Sequence, residues 1–335
     1  MDISIIIVNY CSWGLLKNCL LSLQIIEQNE FTFEIIIIDN SLNDNKLNEF
    51  KKQFPNFLFY ANKANNGFSH GNNLGVKKAK GNYFLFLNPD TIISKTAVLN
   101  LFNAAKNNDN FGVVSCQQLN ENGKKQDIQK FFPTEFTLFG ITRSMFRLLN
   151  KKNLNEKFST NKEQVFPDWA SGSIFLIPKI WFEKVNGWCE DFWLYFEDVD
   201  ICKRIQNLSG KIVILQNTSI THKHGGSSRI NLELKALTKA EVIISNHVYI
   251  DKHFKGISRY FFQIILMLTI LFENFLFAIL GLLLFFIPKF KMNIILFYKL
   301  VQYYIHVPLN RSWLSPRSVN FAYTKTKNDK VLRSA

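Results

Sequence analysis

Four short apolar runs, each stopping at a polar cluster, govern what the first part of this chain can become. Residues 3–8 form a β-branched run ending at Asn9-Tyr10, and residues 34–38 form another ending at Asp39. Residues 57–61 lead into the Gly/Asn-rich stretch 65–75, and residues 83–87 stop at Asn88-Pro89-Asp90. Runs this short and uniformly apolar suit strands covered on both faces, as in a parallel sheet flanked by helices. After the first run, Ser12 opens a segment with Leu15, Leu16, Cys19, Leu20, Leu23 and Ile26 at helical spacing, so the chain begins β-α-β. Residues 65–75 read as a loop, followed by a short helix over 76–80 that Gly81 stops.

In open α/β sheets the helices cover the faces, and ligands bind in the crevice beyond the carboxyl ends of the strands. The polar clusters stand at those ends, which marks the first half as a nucleotide-binding layer. A dinucleotide-dependent dehydrogenase is excluded, because Asn9-Tyr10-Cys11-Ser12 stands where a Gly-x-Gly-x-x-Gly turn would be needed.

Residues 126–162 give no clear period and read as loops and short helices. Order returns at Asp168. Residues 173–177 suit a strand, 178–185 a helix with proline in its first turn and Gly187 after it, and 197–208 a helix closed by Ser209-Gly210. Residues 211–215 read as the last strand, followed by His222 and His224. After residue 229 the character changes, and 261–287 is almost wholly apolar with Glu273 its single charge. The expected organisation is an α/β domain over 1–229 and a helical region over 230–335 ending in a basic tail.

A formal net charge of +14 points to an anionic partner. The absence of arginine-rich or zinc-finger patterns directs this toward a membrane surface or a phosphorylated ligand and away from nucleic acid. The five cysteines, Cys11, Cys19, Cys116, Cys189 and Cys202, lack paired spacing, which fits a reducing compartment. The first residues carry no basic n-region, so no cleavable signal peptide is expected.

Six short motifs in order now bear on function: Ile5-Ile6-Ile7-Val8-Asn9-Tyr10, Ile37-Ile38-Asp39-Asn40-Ser41, Asn65-Asn66-Gly67-Phe68, Leu87-Asn88-Pro89-Asp90, Gly172-Ser173, and Tyr195-Phe196-Glu197-Asp198-Val199-Asp200. Each alone is weak, but each sits at an expected strand end or helix start. Together they resemble glycosyltransferase family 2, in its rhamnosyltransferase-like and galactofuranosyltransferase-like branch. The resemblance implies a single GT-A domain, a Rossmann-like mixed α/β sheet that binds a nucleotide-diphospho-sugar.

By that resemblance Asp39 hydrogen-bonds the pyrimidine imide, and the backbone of Val8, Asn9 and Tyr10 lines the base. The other reading of Asp39 is a turn residue in Asp-Asn-Ser. Asn66, Gly67 and Asn72 fall where the family's loop passes the nucleotide, or are simply an Asn/Gly turn. Asn88-Pro89-Asp90 takes the place of the family's Asp-x-Asp motif with only its last carboxylate, so Asp90 is the first metal ligand. His222 is the second, with His224 its alternate. Manganese suits imidazole better than magnesium does, and either would neutralise the leaving diphosphate. Asp198 is the implied general base for inverting transfer, against a reading in which Glu197 and Asp198 only complement the helix dipole. Glu197, Asp200, Gly172 and Ser173 are placed at the acceptor side. Trp169 and Trp193 are sugar platforms or core.

Residues 261–287 are long enough to cross a bilayer, yet Lys252, Lys255 and Arg259 precede them and Lys289, Lys291 and Lys299 follow. A helical hairpin or in-plane amphipathic helices keep both basic flanks at one anionic surface; a single span and a lipid-free oligomer interface are the alternatives. The expectation is an enzyme at the cytoplasmic face of the inner membrane that uses a nucleotide-sugar donor and a lipid-linked glycan acceptor in cell-surface polysaccharide synthesis. Deoxythymidine-diphosphate rhamnose is the first donor and a uridine-diphosphate hexose the next. The alternative is an inactive, membrane-anchored scaffold, for which the missing carboxylate at Asn88 is the best argument.

Overall fold

The computed structural model describes residues 1–128, 130–159, 161–223 and 231–321. Two compact units emerge: residues 1–65, 71–188 and 197–226 form the first, and residues 66–70, 189–196 and 227–335 the second. The expected break at residue 229 lies outside the described residues. The two short segments at 66–70 and 189–196 group with the C-terminal helices, which no composition shift signals.

The first unit is built on nine strands: β1 (Ile3–Asn9), β2 (Phe33–Asp39), β3 (Leu58–Ala61), β4 (Tyr83–Leu87), β5 (Thr91–Ile92), β6 (Phe111–Leu119), β7 (Gln164–Val165), β8 (Ile174–Pro178) and β9 (Lys211–His222). Their order in the sheet is β3-β2-β1-β4-β8-β6-β9-β5, with β7 on β9. β1, β2, β3 and β4 run parallel, whereas β8 is antiparallel to both β4 and β6. The sheet is therefore mixed. Every residue of β1 is buried, which is why its sequence shows no polar alternation.

Helices α1 (Trp13–Gln24), α2 (Asp44–Gln53), α3 (Gly67–Val76) and α4 (Lys95–Lys106) connect the early strands. The stretch read as a loop at 65–75 is mostly α3, and residues 77–80 are not the helix expected there. The glycines misled the reading because they serve packing. A Cβ on Gly71 would stand 2.8 Å from a Val8 methyl, and one on Gly75 would stand 2.5 Å from Ile6 Cγ2. Only residues without a side chain allow this helix so close to β1.

The middle of the chain forms α5 (Gly140–Leu149) and α6 (Lys151–Lys157), short helices as expected. α7 (Lys179–Lys184) follows β8, and α8 (Glu197–Asn207) opens with Glu197, Asp198 and Asp200 in its first turn. β9 runs seven residues past the expected end at Leu215. A register shift between Cys116 and Gln117 on β6 lets the pairing resume and carries His222 onto a strand.

The second unit contains α9 (Leu232–His253), α10 (Gly256–Leu283) and α11 (Pro288–Asn310). Ala236, Ala240 and Ile244 of α9 pack with Met292, Leu296, Leu300, Tyr303 and Tyr304 of α11. A buried polar knot joins all three helices: His247 Nδ1 meets Gln263 Oε1, and its Nε2 lies 2.9 Å from the Tyr304 hydroxyl. Burial pushes the His247 imidazole down to about 4, so it is neutral.

Candidate functional site

The ends of β1 and β2 are locked together by polar side chains. Asn9 and Asp39 are register partners, and the Asn9 amide donates to Asp39 Oδ1 at 3.0 Å. The Ser41 amide donates to the same oxygen at 3.2 Å, an Asx turn, while the Ser41 hydroxyl lies 2.7 and 2.8 Å from the two oxygens. Asp39 thus does hold a turn. It is only 1% exposed, and Ser41 has one hydroxyl proton, so it satisfies one carboxylate oxygen at a time. Asn62 extends the ladder, its amide donating to Asn40 Oδ1 at 3.0 Å. Cys11, exposed and at φ 52°, begins the turn out of the sheet, and its thiol is pushed up by burial and then by the Asp39 charge.

At the other side of the sheet centre, Asp90 and His222 converge. The two-residue strand β5 pairs Thr91 with His222, which places the preceding Asp90 against the imidazole. His222 Nε2 lies 3.2 Å from Asp90 Oδ1, and both residues are buried. His222 Nδ1 lies 2.9 Å from Gln118 Oε1, whereas the Gln126 amide nitrogen stands farther off at 3.5 Å. The shorter contact requires Nδ1 to donate, because the amide oxygen can only accept. In the neutral imidazole, Nε2 then turns a lone pair toward a carboxylate oxygen. Two lone pairs at this distance repel unless a proton or a cation lies between them.

This oxygen and nitrogen donor set fits a divalent metal of the manganese type. Apart from His222 Nε2, Asp90 Oδ1 meets no hydrogen-bonding group among the described residues, which leaves it open to a cation. Gln118 fixes the histidine tautomer in the way that outer partners of metal-bound imidazoles do. Among the described residues no group of three acidic, histidine or cysteine side chains gathers. His224, the alternate ligand, lies outside the described residues.

Two hydrogen bonds through the Gly172-Ser173 dipeptide link Asn88 to Asp198. The Asn88 amide donates to the Ser173 carbonyl at 3.0 Å, and the neighbouring Gly172 amide donates to Asp198 Oδ2 at 3.1 Å. Asp198 Oδ1 accepts from the amide of the next residue, Val199, at 2.9 Å inside the first turn of α8. Burial raises the Asp198 carboxyl, opposed by the Gly172 and Val199 amides and by the charge of Lys130. Its residue is partly exposed, unlike its neighbours.

Glu197 is buried, its Oε2 lacks a hydrogen-bond partner, and burial followed by the Asp198 charge pushes its carboxyl well above the usual range. Asp200 is fully buried and paired with Arg204 at 2.7 Å, and Arg204 in turn reaches the carbonyls of Val185 and Gly187. The pair braces α8.

Trp169 is half-buried, its indole N–H donating to the Phe131 carbonyl at 3.0 Å, with Lys130 Nζ 5.1 Å over the ring. Trp193, Asn66 and Gly67 belong to the second unit. There Trp193 is 6% exposed, and a Cβ on Gly67 would overlap its carbonyl oxygen at 2.1 Å. Asn72, on α3, is 1% exposed. Val8 and Asn9 are buried, and Tyr10 and Asn88 are partly exposed. Sequence reasoning missed Gln118, which lies on the unread β6, and Lys130, which lies in the aperiodic middle. The run at 111–119 would have exposed β6 but not the role of Gln118, and nothing local marks Lys130.

Residues 4–170 match the family model described as glycosyl transferase family 2. The chain is 28% identical over 207 residues to the low-salt glycan biosynthesis hexosyltransferase Agl10 of Haloferax volcanii, covering 61% of each chain. It is 27% identical over 180 residues to the rhamnosyltransferase WbbL of Escherichia coli, covering 52% of this chain and 66% of that one. The matches thus span less than two thirds of either curated relative. Among solved structures, GalNAc-T7 with UDP, GalNAc and Mn2+ superposes with a TM-score of 0.51 at 16% identity, covering 67% of this chain and 43% of that one. That likeness is one of fold, and it makes the mixed sheet a GT-A sheet.

Proposed function

We propose, for a chain whose residues 4–170 belong to glycosyltransferase family 2, that it moves a sugar from a nucleoside-diphosphate donor to an acceptor hydroxyl with inversion. The observation that carries this reading is the short path joining two chemistries: Asn88, next to the Asp90–His222 pair, bonds Ser173, and Gly172 bonds Asp198. Leaving-group and base residues therefore share one edge of the sheet in the first unit.

In the step itself, Asp198 accepts the proton of the acceptor hydroxyl while that oxygen forms its bond to the anomeric carbon. The bond from that carbon to the diphosphate oxygen breaks, and the nucleoside diphosphate leaves with the electron pair. A raised carboxyl is a stronger base than an ordinary aspartate. A divalent cation bound by Asp90 and His222 would neutralise charge on the departing diphosphate. Asp39 accepts the base imide on the oxygen that Ser41 leaves unsatisfied, beside Val8, Asn9 and Tyr10.

The name of the Escherichia coli relative supports deoxythymidine-diphosphate rhamnose as the first donor, and that of the archaeal relative a hexose. The acceptor is a lipid-linked glycan, and the enzyme works at the cytoplasmic face of the membrane, consistent with glycan synthesis by these relatives and with one apolar C-terminal helix of membrane-spanning length.

The deciding experiment screens nucleotide sugars for nucleoside-diphosphate release by the full chain in detergent, with manganese, magnesium or chelator. Metal-dependent release from one donor, lost in Asp198→Asn and Asp90→Ala, is expected. Absence of both donor binding and release would leave the scaffold reading.

A further inference from the structure

α10 has two unlike faces. It holds 28 residues and includes an 18-residue window of mean hydropathy 2.3, yet only 17% of that window is buried. One face presents Gln263, Leu266, Asn274, Ala278 and Gly281 inward to its own unit. The other exposes an unbroken stripe, from Ile257 through Phe261, Leu268 and Phe272 to Leu283, and Phe285 and Phe286 extend it into the turn. Patches of this extent on a soluble surface mark an interaction site.

The stripe has the length to cross a bilayer, but its neighbours do not allow it. α11 lies antiparallel against α10: Phe275 meets Phe297 at 5.8 Å, and a Cβ on Gly281 would stand 2.7 Å from the Phe290 carbonyl oxygen. α11 carries Lys299, which pairs with Glu233 of α9 at 3.4 Å. The His247, Gln263 and Tyr304 knot fixes all three helices to one another. A crossing by α10 would drag α11 and its charges into hydrocarbon, where each is costly.

The charges at the ends of α10 agree. Lys255 and Arg259 stand at its start, Arg259 with Asp251 at 3.6 Å, and the exposed Lys289 and Lys291 follow the turn. Both basic ends belong at the same anionic headgroup layer, which a helix lying flat provides. We infer that α10 lies in the plane of an anionic bilayer, embedding the stripe from Ile257 to Phe286 in one leaflet while α9 and α11 stay on the water side. This deepens the membrane location proposed above, and it is tested without glycosyl transfer.

The full chain is floated with phosphatidylcholine vesicles, with and without phosphatidylglycerol. Environment-sensitive probes are placed singly at Phe261, Leu268, Phe275 and Leu283 in a Cys11→Ser, Cys189→Ser background, and their depth is read by quenching with brominated lipids. The inference expects flotation that is strengthened by phosphatidylglycerol and one shallow depth at all four positions. Leu268→Asp with Phe272→Asp should lower the bound fraction about tenfold or more while helix content is unchanged. Depths that pass through the bilayer centre would establish a span and overturn the inference. So would flotation unaffected by the double substitution, or a soluble dimer whose probes are buried without lipid. Flotation as expected in a protein that neither binds nor turns over any donor would sink the enzymatic reading and leave this one standing.

Discussion

The backbone N–H of Gly172 donates to Asp198 Oδ2 at 3.1 Å, and a Cβ on Gly172 would stand 3.2 Å from the Cβ of Asp198. The glycine is therefore both donor and clearance for the proposed base. Gly172→Ala forces the aspartate to yield by a few tenths of an ångström, roughly the tolerance of a reacting geometry. Turnover should fall about tenfold to a hundredfold, against about 10² to 10⁴ for Asp198→Asn, with donor affinity little changed in both. Steady-state kinetics beside calorimetric donor binding separates the two effects. Full turnover in Asp198→Asn would remove this residue from the chemistry.

Burial, the largest influence on Asp198, raises its carboxyl, and the charge of Lys130 opposes this. The base works only when ionised, so activity should fall as pH drops through its folded value, which lies above the ordinary aspartate value of 3.8. Removing the cation in Lys130→Met should move this acid limb to still higher pH and leave the alkaline limb in place. A kcat/KM profile across acid and neutral pH reads the shift. An unmoved limb would show that Lys130 does not reach the base.

The strands at 3–9, 33–39 and 83–87 were legible because burial on both faces writes a continuous apolar run into the sequence. α3 was not, because its glycines resemble turn formers until β1 is seen pressed against them. The end of β9 was obscured by a register shift that depends on β6, a partner almost a hundred residues away in sequence. In the site, Asp90, His222 and Asp198 were nominated by motif order, and the structure brings the first two into contact. The Asp200–Arg204 pair went unread although Arg204 stands four residues on, the helical spacing of an ion pair. Gln118 has no sequence signature, since its role exists only once β6 lies beside β9.

Gln118 makes the metal proposal testable without touching a ligand. Its amide oxygen holds the His222 Nδ1 proton at 2.9 Å, which keeps Nε2 aimed at Asp90. Gln118→Leu should weaken manganese affinity about 10- to 100-fold, the usual cost of losing an outer partner. Turnover should recover at high manganese, whereas His222→Ala should not recover fully. Manganese binding followed by electron paramagnetic resonance gives a readout independent of turnover. Equal affinity in Gln118→Leu and the unaltered protein would contradict the tautomer argument.

The second unit carries its own pH dependence. Glu241 is fully buried on α9, its Oε1 accepting from the Ser315 hydroxyl at 3.0 Å and lying 3.4 Å from Arg317, while its Oε2 has no hydrogen-bond partner. Burial raises its carboxyl from 4.5 to about 7, with Arg317 and Ser315 opposing. The folded state therefore holds the proton more tightly than the unfolded chain does. The stabilisation is complete below 4.5 and is lost as pH rises through about 7, an effect on the order of 3 kcal/mol between those limits. Glu241→Gln fixes the neutral form and keeps an acceptor for Ser315. Relative to the unaltered protein it should be more stable at pH 8 and close to equal at pH 4.5, as measured by thermal unfolding of both at each pH. A variant that is less stable at pH 8 would mean that the Arg317 ion pair outweighs the burial of the charge.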